Sequence, residues 1–159
     1  MNDIYEMMST LRAVRKLRPD PIPDDVIEQV LQAAAWAPTG GNMQPWRVIV
    51  VRSEERKQAL AGVYRPAWYR YAKGYDARIE QLPEDEAEKA RRNRVAGDFL
   101  ADHLQEAPII LMFVADPKMM AITDAKLDRV SMVGGGSVYT AVQNAMLAAR
   151  TEGLGCVLT

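Results

Sequence analysis

The sequence predicts one domain that mixes amphipathic helices with short buried strands. Its 159 residues suit a single core, and 48% apolar content is enough to fill one. Apolar residues recur at helical spacing, most clearly as Val26, Ile27, Val30, Leu31, Ala34 and Ala35. "WRVIVV" at 46–51 is instead a β-branched run of strand length, and "IILMFVA" at 109–115 reads as a second buried strand.

Residues 3–11 put Ile4, Met7, Met8 and Leu11 on one helical face. The connector "RAVRKLRPDPIP" gathers Arg12, Arg15, Lys16 and Arg18 ahead of three prolines, which forbid a continued helix. Asp24 and Asp25 suit the N-terminus of the next helix, which ends before Pro38. In "APTGGNMQPW", 37–46, two adjacent glycines let backbone amides turn toward a ligand edge, so the stretch is either a tight turn or a binding loop. Residues 62–106 read as an excursion over the body of the domain. They carry Tyr64, Trp68, Tyr69, Tyr71 and Tyr75, then an acid-to-base gradient from Glu84 through Lys89 to Arg94 that suits a solvated helix aligned with its own dipole. Gly134 to Gly136 lead into an alanine-rich helix over 137–153, and "GCVLT" starts a third strand.

Composition excludes several function classes. Twenty Lys and Arg against 21 Asp and Glu give a net charge of -1, so no global field favours nucleic acid or an anionic membrane, and the partner is a small molecule or a second copy of the chain. The longest apolar run is less than half of the roughly 20 residues that span a bilayer. The first ten residues lack the pattern of a secretory signal, and one cysteine, Cys156, agrees with a reducing compartment. These features place the protein in the cytoplasm. A lone histidine, His103, makes neither a zinc site nor a hydrolytic triad. Chemistry without those side chains points to a borrowed cofactor.

Arg12 and Arg15 are spaced so that two guanidiniums could grip one phosphate, or they are plain surface charges. "GGGSVYT" lacks the lysine of a phosphate loop and the spacing of a dinucleotide fingerprint; close helix packing is its better explanation. The aromatic cluster at 64–75 is an aromatic lid or a small satellite core. Met119, Met120 and Met132 read as packing filler, and Cys156 as a small buried hydrophobe.

Taken together, "RAVRKLRPDPIPDDVIEQVLQAAAWAPTGGNMQPWRVIVV" resembles the N-terminal signature of the FMN-dependent nitroreductase family: a basic connector, a Pro-Asp helix, a Pro-Thr-Gly-Gly-Asn loop and a Gln-Pro-Trp strand start. "FLADHLQEAPIILMFVADP" and "SVYTAVQNAMLAARTEGLGCVLT" are similar to the family's middle strand and its interface helix, so the resemblance runs from about residue 10 to the end. The aromatic insertion and "EGLGCVLT" are most similar to the branch that includes iodotyrosine deiodinase.

The resemblance implies an α+β sandwich, a central antiparallel or mixed sheet flanked by helices, in a homodimer with two FMN molecules at the subunit interface. Residues 1–159 would form one flavin-binding domain, with 62–106 an inserted helical lid region and the C-terminal part of the fold missing from this chain. Arg12, Ala13 and Arg15 match the connector that holds the flavin phosphate. Pro38, Thr39, Gly40 and Asn42 match the loop that the partner subunit lays against the flavin, and Thr159 matches a small hydroxyl residue beside it. Leu11 and Ala13 depart from the family's usual Arg and Ser, which weakens the phosphate grip. The implied activity is ping-pong transfer of electrons from NAD(P)H, the co-substrate, to an electron-poor nitroaromatic, quinone or similar acceptor, with no obligate catalytic acid or base and no metal. Reductive dehalogenation, a flavin-based oxidation, flavin binding with little turnover, and a cofactor-free interaction module built on helix 137–153 are the competing readings.

Overall fold

The computed structural model describes residues 3–120, 122–131 and 133–159. Its elements are α1 (Ile4–Thr10), α2 (Asp24–Ala35), β1 (Trp46–Val51), α3 (Glu54–Ile79), α4 (Glu84–His103), β2 (Ile110–Ala115) and α5 (Gly136–Thr151). Short 3-10 turns cover Gly40–Asn42, Leu104–Glu106 and Pro117–Met119. The result is an α+β fold, helix-rich around a small antiparallel sheet, as the resemblance implies. The chain divides into two compact units.

The first unit is drawn from 1–13, 22–50 and 111–159. α2 begins on Pro23 with Asp24 and Asp25 in its first turn, where carboxylates oppose the positive end of the helix. Its stripe buries Val30 and Ala34 against Ala141, Ala145 and Ala149 of α5. Alanines on both sides let the two backbones approach closely. Asn144 Nδ2 donates to the carbonyl of Ala33 at 3.0 Å, satisfying one of the orphan carbonyls at the end of α2. Trp46, Leu111 and Phe113 bring one face of the two-stranded sheet onto this core. Residues of β1 alternate between half-buried and exposed, the period-two signature of a sheet with one covered face. The amide of Asp116 donates to the carbonyl of Pro45 at 2.9 Å and closes one end of the pair.

"GCVLT" differs from expectation. Instead of a third strand it forms one isolated parallel bridge, between Cys156 and Ala13. The α5 residues also begin and end earlier than the periodicity predicts, at 136 and 151.

The second unit comprises 14–21 and 51–110 and is built on α3 and α4. Pro66 lies inside α3, where it costs a backbone hydrogen bond and presses on the carbonyl four residues back. That residue is Gly62, whose missing side chain leaves open space. Arg94, its side chain 17% exposed, ties the helices together: Nε donates to Asp76 of α3 at 2.8 Å and Nη1 pairs with Asp98 of its own helix. Trp68 Nε1 donates to the same Asp98 at 2.7 Å, and Tyr69 and Arg65 both engage Asp102. Burial first, and then Asp102, push the Tyr69 phenol above its ordinary range.

Candidate functional site

The loop from Pro38 to Gln44 is held open by a run of left-handed backbone. Gly41, Asn42 and Gln44 have φ of 58°, 55° and 44°. Glycine takes this conformation freely and asparagine tolerates it, whereas Gln44 needs support. Thr39 supplies it: its Oγ1 accepts the Gln44 amide at 3.1 Å, while its carbonyl accepts the Asn42 amide at 3.0 Å. The Asn42 side chain makes no hydrogen bond among the described residues and stands exposed, so its amide is open to a ligand.

Two α5 residues bolt this loop in place. The Gly40 amide donates to Ser137 Oγ at 3.1 Å, and Thr140 Oγ1 donates to the Pro38 carbonyl at 3.1 Å. Loop and helix together border a cleft of about 280 Å³, lined by Pro38, Thr39, Gly40, Pro45, Met119, Met120, Val133, Gly136 and Ser137. Among the described residues no charged side chain lines it. A thioether-rich, uncharged wall suits a flat polarizable molecule better than an ion.

Of the loop residues that the resemblance points to, Pro38, Thr39 and Gly40 line this cleft, and Asn42 is not among its lining residues. Sequence reasoning missed Ser137 and Thr140, whose signal was only their place at the start of a helix. Met119 and Met120, read as filler, stand on the cleft wall; Met132 lies outside the described residues. The glycine run does not serve helix–helix packing. A side chain at Gly135 would strike the ring of Tyr139 on the same helix, and at Gly136 there is open space.

Arg12 is exposed, and both protons of its Nη1 are spent on the carbonyls of Ser9 and Leu11, each at 2.8 Å. Its Nε and Nη2 edge remains, the edge that grips an anion with two bonds. Ala13 pairs with Cys156, so the connector runs beside the segment that leads to Thr159. Thr159 itself is exposed. Arg15 belongs to the second unit, is half-buried, and has neither a carboxylate nor a hydrogen-bond partner among the described residues. Each guanidinium by itself keeps donors that suit a phosphate oxygen.

The aromatic cluster divides between its two readings. Tyr75 packs on a satellite core of Ile79, Ala87 and Ala90, whereas Tyr71 is 65% exposed between Trp68 and Tyr75. His103 stacks on Phe99 at 4.1 Å, and its Nδ1 lies 2.7 Å from the Phe99 carbonyl. Burial pushes the Cys156 thiol above its ordinary range. Among the described residues no cluster of His, Cys, Asp and Glu could hold a metal, and no helix is long and apolar enough to cross a membrane.

Iodotyrosine deiodinase 1 of Rattus norvegicus is 24% identical over 97% of this chain and 53% of its own length. An NADH dehydrogenase of Thermus thermophilus is 45% identical over 31% of this chain and 24% of its own. Oxidized iodotyrosine deiodinase bound to FMN and 3-iodo-L-tyrosine superposes with a TM-score of 0.65 at 23% identity, covering 96% of this chain and 72% of that one, which is a likeness of fold. The chain spans about half the length of the full-coverage deiodinase relatives it matches. The model of the nitroreductase family matches residues 10–159, nearly all of the sequence, and the chain belongs to that family.

Proposed function

We propose that this chain is the flavin-binding domain of an FMN-dependent oxidoreductase that takes electrons from NAD(P)H and delivers them to an electron-poor small molecule. The observation that carries the reading is Arg15, a half-buried guanidinium without a partner among the described residues. Desolvating a charge with nothing to offset it is unfavourable, and a phosphate is the anion that family membership supplies. FMN is named in the deiodinase structure that shares this fold, and NADH in the relative from Thermus thermophilus.

In this reading Arg12, Ala13 and Arg15 hold the phosphate end. Pro38, Thr39, Gly40 and Asn42 form the loop that a second copy of the chain lays against the ring, and Thr159 adds a hydroxyl beside it. Bound FMN supplies the two-electron redox chemistry that no side chain here provides. The chain's own residues position and shield: Ser137 and Thr140 fix the loop, Asn42 presents its amide, and Met119, Met120 and Val133 keep water from one side of the cleft. Donor and acceptor would use one face in turn, and water could supply the proton that accompanies each hydride, so no residue need be an obligate acid or base. We further read residues 1–159 as one functional domain with 62–106 as its inserted helical region, acting in the cytoplasm as a homodimer.

A second reading, reductive dehalogenation, is favoured by the deiodinase relatives that cover nearly the whole chain. The uncharged cleft lining weighs against an amino-acid substrate, whose ammonium and carboxylate would need partners. To test both, the protein is purified, soaked with FMN, desalted and denatured, and released flavin is measured. Flavin is expected, followed by parallel double-reciprocal lines with NADH and menadione. Absence of flavin after soaking would end both readings, and iodide released from 3-iodo-L-tyrosine under dithionite would select the second.

A further inference from the structure

Asp124 is a buried carboxylate that flavin binding leaves unexplained. It is 5% exposed, and it lies between the 3-10 turn Pro117–Met119 and α5. A carboxylate removed from water is retained only where partners offset its desolvation. Here Oδ2 accepts from Arg129 Nη1 at 2.9 Å and Oδ1 accepts from the Ser131 hydroxyl at 2.7 Å. Ser131 Oγ in turn accepts the Gly134 amide at 3.1 Å. The Leu127 amide bonds back to the Asp124 carbonyl at 3.2 Å, closing a turn around the carboxylate. One chain of bonds thus links the middle of the segment to the amide just before α5. The two ends of that segment are the Met119 and Met120 wall and the Val133, Gly136 and Ser137 wall of the cleft.

We propose that Asp124 is a positioning residue whose clasp on Arg129 and Ser131 fixes these two walls and so sets the fit of a planar acceptor in the cleft. The inference rests on the flavin-oxidoreductase reading for its substrate, while the clasp itself stands on geometry. Asp124 touches no acceptor. It acts by holding the segment that does, so its loss should loosen acceptor binding and leave the flavin in place. Arg129 is half-exposed and can be exchanged without burying a new group.

The experiment uses the full chain loaded with FMN, as Arg129→Gln and Asp124→Asn. Amide hydrogen exchange over 122–136 and steady-state kinetics with menadione are measured. Exchange should accelerate at the Gly134 amide and its neighbours. The KM for menadione should rise by about 2- to 30-fold, the range over which packed networks modulate coupling, with kcat and bound flavin unchanged. An unchanged KM would overturn the proposal, as would a joint fall in kcat and flavin content, which marks a folding role. Should Asp124→Asn fail to fold, Arg129→Gln decides. If the unaltered protein takes up no flavin, the functional reading falls by itself, and the clasp is then judged on exchange, where undiminished protection in Arg129→Gln overturns it.

Discussion

A guanidinium half out of water with no anion beside it has hydrogen-bonding capacity to spare, and among the described residues Arg15 is in that position. A charge-assisted phosphate contact contributes roughly 1.5–3 kcal/mol, or about 10- to 150-fold in affinity. Arg15→Ala should therefore weaken FMN by that factor and riboflavin, which has no phosphate, by much less; titrating both ligands by flavin fluorescence gives the comparison. Equal losses would assign Arg15 to folding. Cys156 offers a pH-dependent check on the connector, because its backbone pairs with Ala13. Burial raises its thiol pKa, so the folded chain keeps a proton that the unfolded chain releases. Stability from this group is complete below the unfolded value of about 8.5 and declines as pH rises through the folded one. Denaturant midpoints should fall as pH rises above about 8.5 in the native chain and more gently in Cys156→Ala, and alkylation by iodoacetamide should need a higher pH than in a free cysteine. A reactive thiolate at neutral pH would contradict this.

The elements separate into those the sequence announces and those it hides. α2, β1 and β2 are legible because a helical stripe, a β-branched run and an apolar run are each long enough to bury a face; α2 lies between Pro23 and Pro38, and β1 starts after Pro45. α3 is hidden: Pro66 argues against a helix locally, and its rings lie on several faces, so no stripe emerges. Tertiary contacts override both, through Arg94 and through Trp68 seated over Gly97. A methyl group at Gly97 would overlap the Trp68 ring, which the bond to Asp98 restrains. Overpacking costs about 1–3 kcal/mol, against a helix-propensity gain of about 1 kcal/mol for leaving glycine. Gly97→Ala should therefore destabilise or at best leave the unit unchanged. Gly74→Ala in α3, where nothing lies within 4 Å, should stabilise by about 0.5–1 kcal/mol. Urea unfolding of the pair tests whether ring packing governs this hairpin, and a stabilised Gly97→Ala would show that it does not.

At the scale of the whole molecule, what was legible was the loop, and what was not was the support for it. Thr39, Gly40 and Asn42 stand out because glycine pairs are rare and chemically pointed, whereas Ser137, Thr140 and Asp124 act across about a hundred residues or inside an irregular segment that no periodicity marks. The proposed dimer follows from α5 by the same reasoning from faces. Ala141, Ala145 and Ala149 are spent on α2. Tyr139, Gln143, Met146 and Arg150 recur at the helical spacing of a second stripe, with Tyr139 64% exposed and Gln143 also exposed. A ring and a thioether beside a neutral amide suit a two-fold contact in which each residue meets the same patch on the other copy. Gln143→Arg would then place like charges across the axis and should shift the protein from dimer to monomer at micromolar concentration. Because the loop of one copy completes the flavin site of the other in this reading, flavin should be lost in step with mass, measured by sedimentation at the flavin and protein wavelengths together. A monomeric Gln143→Arg protein that keeps all its flavin would mean that one chain builds the site unaided.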